Sequence, residues 1–544
     1  MIKMLKIQIK KNISKKRIFT LIFFTIIFLV GLLSFQDFNL YGDEPVHQWI
    51  GSIYYQFIKE VALNFTINNE YLEEILQLTK GDFRLTAAYP IFFDLLTELV
   101  SDILNFQTSR EVFYLRHFVN FLFFFISLIF FFVIINRRFN NYFLSVLGVL
   151  FLFISPVIFA ASFYSSKDIL FLSFSIINIY FALKFIEKQD LNNLILLSLS
   201  SGILLNTRAM GLIPIFLVCA IIFFEIIEKE KLYVDRMKKV SLYLLLTFLI
   251  TFIFWPYLWL DPVKNLSTYF NYVKNFPFIW TNLYFGETIL SDQTPWHYLF
   301  IWISITIPIA ILLNFVAGII LVLSKFFKNI LSFDKNNELW LDHKERTDFL
   351  VLLLLMIPIL ASLVYRHNFS GWRHYYFIYP LIVYFAVYFL SFLKKVNSKL
   401  FMILIVATFI NLFVNIFWMI KFHPHQYAYF NFIQKKIIKK KFDLDPSGLS
   451  LKYSLEYILN NNKEAEFIKV AGLGNIWIKG SFAILDEKSK KRLKFVQQDE
   501  AEYLINTFRP HISERIKIDN LKFSKYHELI IDNRVVNSIY KKNK

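Results

Sequence analysis

Apolar runs of about 18 residues or more recur along most of the chain, separated by short polar and charged stretches. A run of that length lets one helix cross the hydrocarbon of a bilayer. The first, "IFTLIFFTIIFLVGLLSF" from Ile18 to Phe35, has no small-residue cleavage site after it and reads as a retained span. Further runs fall near residues 112–135, 142–162, 169–186, 192–206, 210–227, 240–258, 297–323, 349–364, 376–392 and 400–420, which predicts about 11 spans. Residues 36–111 form a first loop holding "YLEEILQLTK" and "IFFDLLTELVSDIL". Their apolar spacing suits helices lying along a membrane surface. From 421 to 544 short apolar and polar segments alternate ("EFIKVAGLGNIWIKG", "ELIIDNRVVNSIY"), which predicts a small mixed α/β domain. The expected architecture is a polytopic α-helical membrane domain over 1–420 and a C-terminal soluble domain over 421–544.

Composition agrees: 56% of residues are hydrophobic and the mean hydropathy is +0.48, above the usual 45–50% apolar of soluble domains. The net charge of +18 does not point to nucleic acid, because the basic residues sit between spans and form no groove-reading motif. They set orientation instead. The N-terminus "MIKMLKIQIKKNISKKR" is basic without an acid, whereas in 36–111 acids outnumber bases roughly three to one. The N-terminus is therefore expected in the cytoplasm of a bacterial inner or plasma membrane, with the first loop and the tail outside. The basic "QKKIIKKKF", Gln434 to Phe442, pulls the other way, but long translocated domains escape the charge rule. The single cysteine, Cys219, excludes a disulfide framework and a cysteine-based zinc site.

On this topology the ionisable residues near span ends gather on the outer face. Directly after the first span, "NLYGDEPVHQW" sets Asp43 beside Glu44, with His47 three residues beyond Glu44. Arg116 and His117, Lys167 and Asp168, Arg208, and Arg373 with His374 fall at other outer ends. A single Arg or Lys there can simply snorkel to the interface, and "GDEP" can be a capped turn in which Asp43 precedes a helix starting near Pro45. Together, though, carboxylates facing several cations suit an anionic, membrane-held substrate. Arg and Lys would hold a phosphate, and a carboxylate would serve as general base toward a hydroxyl. A divalent ion on Asp43, Glu44 and His47 is compatible with the residue types, but the spacing is no metal signature.

Several motifs then come in order: "YGDEPVHQW", "RHFVNFLFF", "SPVIFAASFYSSKDILFLSF", "LLNTRAMGLIP", "TPWHYLFIW", "GWRHYYFIYP" and "HPHQYAYFN". Over about residues 18–460 the chain thereby resembles the polytopic GT-C glycosyltransferases, specifically the group of protein O-mannosyltransferases and lipid A aminoarabinose transferases. The resemblance implies transfer of a sugar, with inversion, from a polyprenyl-phosphate donor to a protein, lipid or glycan acceptor at the outer face. It places the catalytic base at Asp43, with Glu44 beside it and a second acidic position at Asp168. It implies donor-phosphate contacts from Lys167 and Arg208, supported by Arg116, His117, Arg373 and His47. Relatives often carry a "DYWGLS"-like segment in the tail; here it reads "DPSGLS", Asp445 to Ser450.

The main competing reading is a transporter or flippase for lipid-linked or anionic substrates, which would place charges mid-span and pair broken helices. A polysaccharide polymerase or ligase would carry its basic residues in a large late loop, and a scaffold would not need the clustered charges. The chain shows no nucleotide-binding glycine loop, in keeping with a lipid-borne donor.

Overall fold

The structure is a computed structural model that describes residues 2–64, 88–228, 233–276, 278–331, 342–368, 370–431, 442–473, 478–508 and 522–543. The amphipathic stretch 71–80 and the basic stretch 434–441 lie outside these residues.

Each of the eleven apolar segments is helical. Seven helices are individually long and apolar enough to span: Lys15–Ser34, Ser109–Phe139, Ser166–Glu187, Ile309–Leu331, His343–Val364, Arg373–Val396 and Ser398–Lys421. An eighth span results if Tyr142–Phe153 and Pro156–Tyr164, bent by 66° at their junction, count as one. Proline makes the breaks. Pro156 opens the second half of the bent pair, where a missing N–H costs nothing. Pro308 separates Tyr298–Thr306 from Ile309–Leu331, since proline neither donates to the preceding turn nor fits inside it. Leu191–Leu205 and the region of Leu212–Glu228 are apolar but shorter, and Tyr233–Ile253 begins on charged residues. The protein is thus a multi-pass helical membrane protein.

Local signals place the helix ends. Thr108 and Glu111 form a reciprocal capping box at the start of Ser109–Phe139, and that helix ends on Arg137 and Arg138 with Asn140 left-handed. Asp342 caps His343–Val364. At this end of the bundle Arg138 donates through Nε and Nη2 to the two carboxylate oxygens of Asp348 (2.7 and 2.5 Å), and the Tyr384 hydroxyl donates to the same group (2.5 Å). Three helices are tied there by one buried carboxylate.

The helices divide by environment. In Ser166–Glu187 and Arg373–Val396, 72% of the apolar window is buried, against 17% in Lys15–Ser34. The first two are the centre of the bundle and the last faces outward, where exposed Leu and Phe are solvated by lipid rather than water. One continuous core joins these helices. Ile309–Leu331 packs closely on Tyr379–Val396 at Gly318, where an added Cβ would stand 2.0 Å from the Phe385 carbonyl oxygen.

The C-terminal region forms a small sheet domain, as the alternating pattern predicts. An antiparallel pair, β1 (Thr281–Tyr284) and β2 (Glu287–Leu290), precedes it in the membrane domain. The tail sheet contains β3 (Ile468–Gly472), β4 (Leu493–Phe495), β5 (Tyr503–Asn506), β6 (Phe523–Ile531) and β7 (Arg534–Lys542) in the order β4-β3-β5-β7-β6. β3 is parallel to β4 and β5, and β7 is antiparallel to β5 and β6. Leu451–Asn460 packs on it through Leu451, Leu455 and Ile458. The β6–β7 hairpin reaches back: Leu529, Ile531 and Val536 join the bundle core, and Arg534 donates to the Ala428 carbonyl (3.0 Å).

Gly318→Ala should push the two helix backbones apart and cost about 1–3 kcal/mol, as overpacking does. The purified variant should melt at a lower temperature than the wild type, and an unchanged melting temperature would show that this close approach is not required.

Candidate active site

Where the chain leaves the first span, Glu44–Asn64 begins with Asp43 immediately ahead of its first residue and Pro45 in its first turn, where proline's missing N–H is tolerated. Glu44 turns inward. Its carboxylate meets Arg116 (Nε to Oε1, 3.7 Å) and His117 (Nε2 to Oε2, 3.3 Å), both fully buried about two turns inside Ser109–Phe139. Arg116 also donates from Nη2 to Asp94 (2.7 Å) and from Nη1 to the Thr97 hydroxyl (2.9 Å). His117 Nδ1 faces the Phe35 carbonyl at 3.2 Å.

The helix bearing Asp94, Phe92–Ile103, is the second amphipathic piece of the first loop, and its buried face mixes polar with apolar residues. Asp94, Thr97 and Ser101 are buried beside Phe93 and Leu95, while Leu99, Asp102 and Ile103 are exposed. The cause is Arg116, which needs acceptors inside the protein. Gly51 allows the approach, since a Cβ there would stand 2.5 Å from Asp94 Cβ.

Asp43 points the other way, into a cavity of about 510 Å³ at one end of the bundle. Eight of the ten residues singled out from the sequence line it: Asp43, Glu44, His47, Lys167, Asp168, Arg208, Arg373 and His374. Arg116 and His117 do not; they stand behind the wall and hold Glu44. The charges arrive on separate elements. Lys167 and Asp168 are in the first turn of Ser166–Glu187, Arg208 follows Leu191–Leu205, and Arg373 opens Arg373–Val396. The two most buried spans thus present their N-terminal ends, where the backbone carries partial positive charge, to the cavity.

Two ion pairs cross it. Arg373 donates from Nη2 to Asp43 Oδ2 (3.1 Å) and lies over the Tyr41 ring (4.6 Å), which stacks on Tyr164. Arg208 pairs with Asp168, which also accepts from the Ser165 hydroxyl (2.7 Å). The Lys167 ammonium sits over the Tyr89 ring (4.5 Å) with no carboxylate within 4 Å among the described residues. The three carboxylates differ in access: the Asp43 side chain is 42% exposed, against 2% for Glu44 and 4% for Asp168. Burial, reinforced by Lys167, Arg116 and Arg208, pushes the His47 pKa well below its ordinary value, so the ring is neutral at pH 7. Burial likewise raises the Tyr89 hydroxyl to about 12.

The remaining walls were not singled out from the sequence. Tyr89, Phe276, Phe278, Trp280 and Tyr365 form an aromatic side, and Pro446 and Ser447 come from the tail. The carboxylate of Asp445 accepts from the Leu449 and Ser450 amides and the Ser450 hydroxyl (2.8, 2.8 and 2.6 Å), which shapes that turn. Asn39 donates to the Gly448 carbonyl (3.1 Å) and the Ser481 hydroxyl (2.8 Å), fastening the tail to the Asp43 loop. Among the described residues no group of three His, Cys, Asp or Glu lies together as a metal-ligand set. Asp43, Glu44 and His47 do not converge, because Glu44 is committed to Arg116 and His117.

This geometry can be set beside known proteins. A family model described as "Dolichyl-phosphate-mannose-protein mannosyltransferase" matches residues 89–259, just under a third of the chain. That stretch carries Arg116, His117, Lys167, Asp168 and Arg208, and the match bears out the resemblance to GT-C membrane glycosyltransferases. No curated protein is a significant match. Two solved structures are similar: ArnT from Cupriavidus metallidurans in the apo state, at 11% identity over 96% of this chain and 97% of that one with a TM-score of 0.47, and ArnT from the same organism bound to undecaprenyl phosphate, at 11% identity over 96% and 98% with a TM-score of 0.43.

Arg116→Ala would leave Glu44 and Asp94 buried without their guanidinium, at a cost of about 3–5 kcal/mol. A large fall in melting temperature is expected; a variant as stable as wild type would remove Arg116 from its central place. Because its pKa is depressed, His47 should stay neutral as pH falls through the 6.5 region and charge only at lower pH. Its ring resonances, assigned by comparison with His47→Gln, should not move across that region, and a normal titration would contradict the crowding described.

Proposed function

We propose that the protein is a glycosyltransferase that takes a sugar from a polyprenyl-phosphate donor and passes it to an acceptor hydroxyl or phosphate on the extracytoplasmic face. The observation that carries this reading is one cavity, at the end of an apolar bundle, in which an accessible carboxylate faces three cations. The family description over residues 89–259 supports the donor class, and the acidic first loop after a basic N-terminus supports the face.

In this reading Lys167 and Arg208 hold the donor phosphate, whose departure they assist by matching its charge. Asp43 is the base: it takes the acceptor proton as the acceptor oxygen attacks C1 of the sugar opposite the phosphate. The C1–O bond to phosphate breaks and the sugar inverts. Asp168 positions Arg208 and Glu44 positions the Asp43 loop. Acceptors of protein, lipid or glycan type fit the same chemistry.

The test is transfer by purified protein supplied with polyprenyl-phosphate sugars and scored by product mass. Asp43→Asn should lower turnover by about 10²–10⁴-fold, the usual worth of a general base, with unchanged insertion and melting temperature. Normal turnover in that variant would sink the assignment. Lys167→Met should mainly raise the donor KM, and an unchanged KM would take Lys167 out of the phosphate site.

A further inference from the structure

Charged groups of both signs face the cavity. Behind the wall Glu44 and Asp94 share Arg116. In front stand two carboxylates, Asp43 and Asp168, and three cations, Arg373, Arg208 and Lys167. In front, cations thus outnumber carboxylates by one among the described residues. A sugar phosphodiester carries one negative charge and fits. The phosphate released when the C1–O bond breaks is a monoester carrying nearly two, because its second pKa is about 6. A cavity with fixed charge would match the donor and not the leaving group.

The Asp43–Arg373 pair removes this mismatch. From the proposed glycosyl transfer, on which this inference rests, we infer that Arg373 is a proton-coupled phosphate ligand: it pairs with Asp43 while the donor is intact and turns to the leaving phosphate when Asp43 takes the acceptor proton. Atoms and charges balance. The acceptor O–H bond breaks and its proton goes to Asp43, the acceptor oxygen bonds C1, and the C1–O electron pair leaves with the phosphate. One negative charge disappears from Asp43 as one appears on phosphate, and Arg373 stands 3.1 Å from the first. Arg208 does not share this role, since Asp168 is nearly inaccessible and also held by Ser165. Tyr41 keeps the Arg373 guanidinium over the cavity in either pairing. When Asp43 loses its proton again it recaptures Arg373, which helps release the lipid phosphate.

The test measures binding of farnesyl monophosphate and its methyl diester at pH 7 by titration calorimetry, in wild type, Asp43→Asn, Arg373→Gln and the double variant. Asp43→Asn imitates the protonated base. It should bind the monoester at least about tenfold more tightly than wild type, a 1.4 kcal/mol gain, with a smaller change for the diester. In the Arg373→Gln background the Asn substitution should bring no gain. If Arg373→Gln does not fold, Arg373→Met, an unbranched side chain without the charge, takes its place. No gain in Asp43→Asn, or an equal gain without Arg373, overturns the coupling while leaving the transferase reading intact. Folded wild type that binds neither probe overturns both.

Discussion

The burial of Arg116 is the constraint on which the rest of the site depends. A guanidinium cannot shed its proton, and inside an apolar bundle it is tolerated only with carboxylates placed against it. Both of its carboxylates come from the first loop: Glu44 from the helix after the first span and Asp94 from the helix before the second. The pairing folds the loop back onto Ser109–Phe139 and draws Glu44–Asn64 close enough that only glycine fits at position 51. Asp43, one residue ahead of the buried Glu44, is then left at the wall of the cavity. The adjacency of two like-charged residues thus has a physical reason, because they face opposite ways into different partners.

The cavity itself is built by convergence. No single element supplies more than a few of its charged groups, yet the two central helices, the turn before Leu212–Glu228 and the start of Glu44–Asn64 all end at the same place. Apolar helices that must lie side by side bring their termini together, and polar termini then share a small volume of low dielectric, where each charge needs a counter-charge. The pairs Asp43–Arg373 and Asp168–Arg208 answer that need. Lys167 stands on an aromatic ring rather than a carboxylate, which makes the site receptive to an anion. The tail domain closes the structure from outside the bundle, gripping the loop through Asn39 and lending Pro446 and Ser447 to the wall.

Much of this was legible in the sequence. Apolar runs marked eleven helical segments, and charges at the ends of those runs marked eight residues that do share one cavity. Arg116 and His117 were legible as unusual but not as what they are. Counted from the apolar run they sit at its outer edge, whereas the capping box at Thr108 starts the helix earlier and carries them inside. Asp94 was hidden in a stretch that reads as a surface helix, because apolar periodicity cannot tell lipid from protein on either side of it. The aromatic wall was invisible for a statistical reason: with aromatic residues at 19% of the chain, Tyr89 or Trp280 does not stand out. Ser447 lies about 400 residues from Asp43, and no local pattern reports a contact at that separation.

The central claim is that this cavity holds a lipid phosphate with its sugar turned toward Asp43. It is tested most directly by a cryo-electron-microscopy structure of the protein in a lipid nanodisc with a non-hydrolysable polyprenyl-phosphate sugar. The account predicts phosphate density within hydrogen-bond reach of Lys167 and Arg208, and the sugar between that phosphate and Asp43. A lipid phosphate bound at the opposite end of the bundle near Arg138, or lipid density threading the bundle while this cavity stays unliganded, would contradict it and favour a transport pathway.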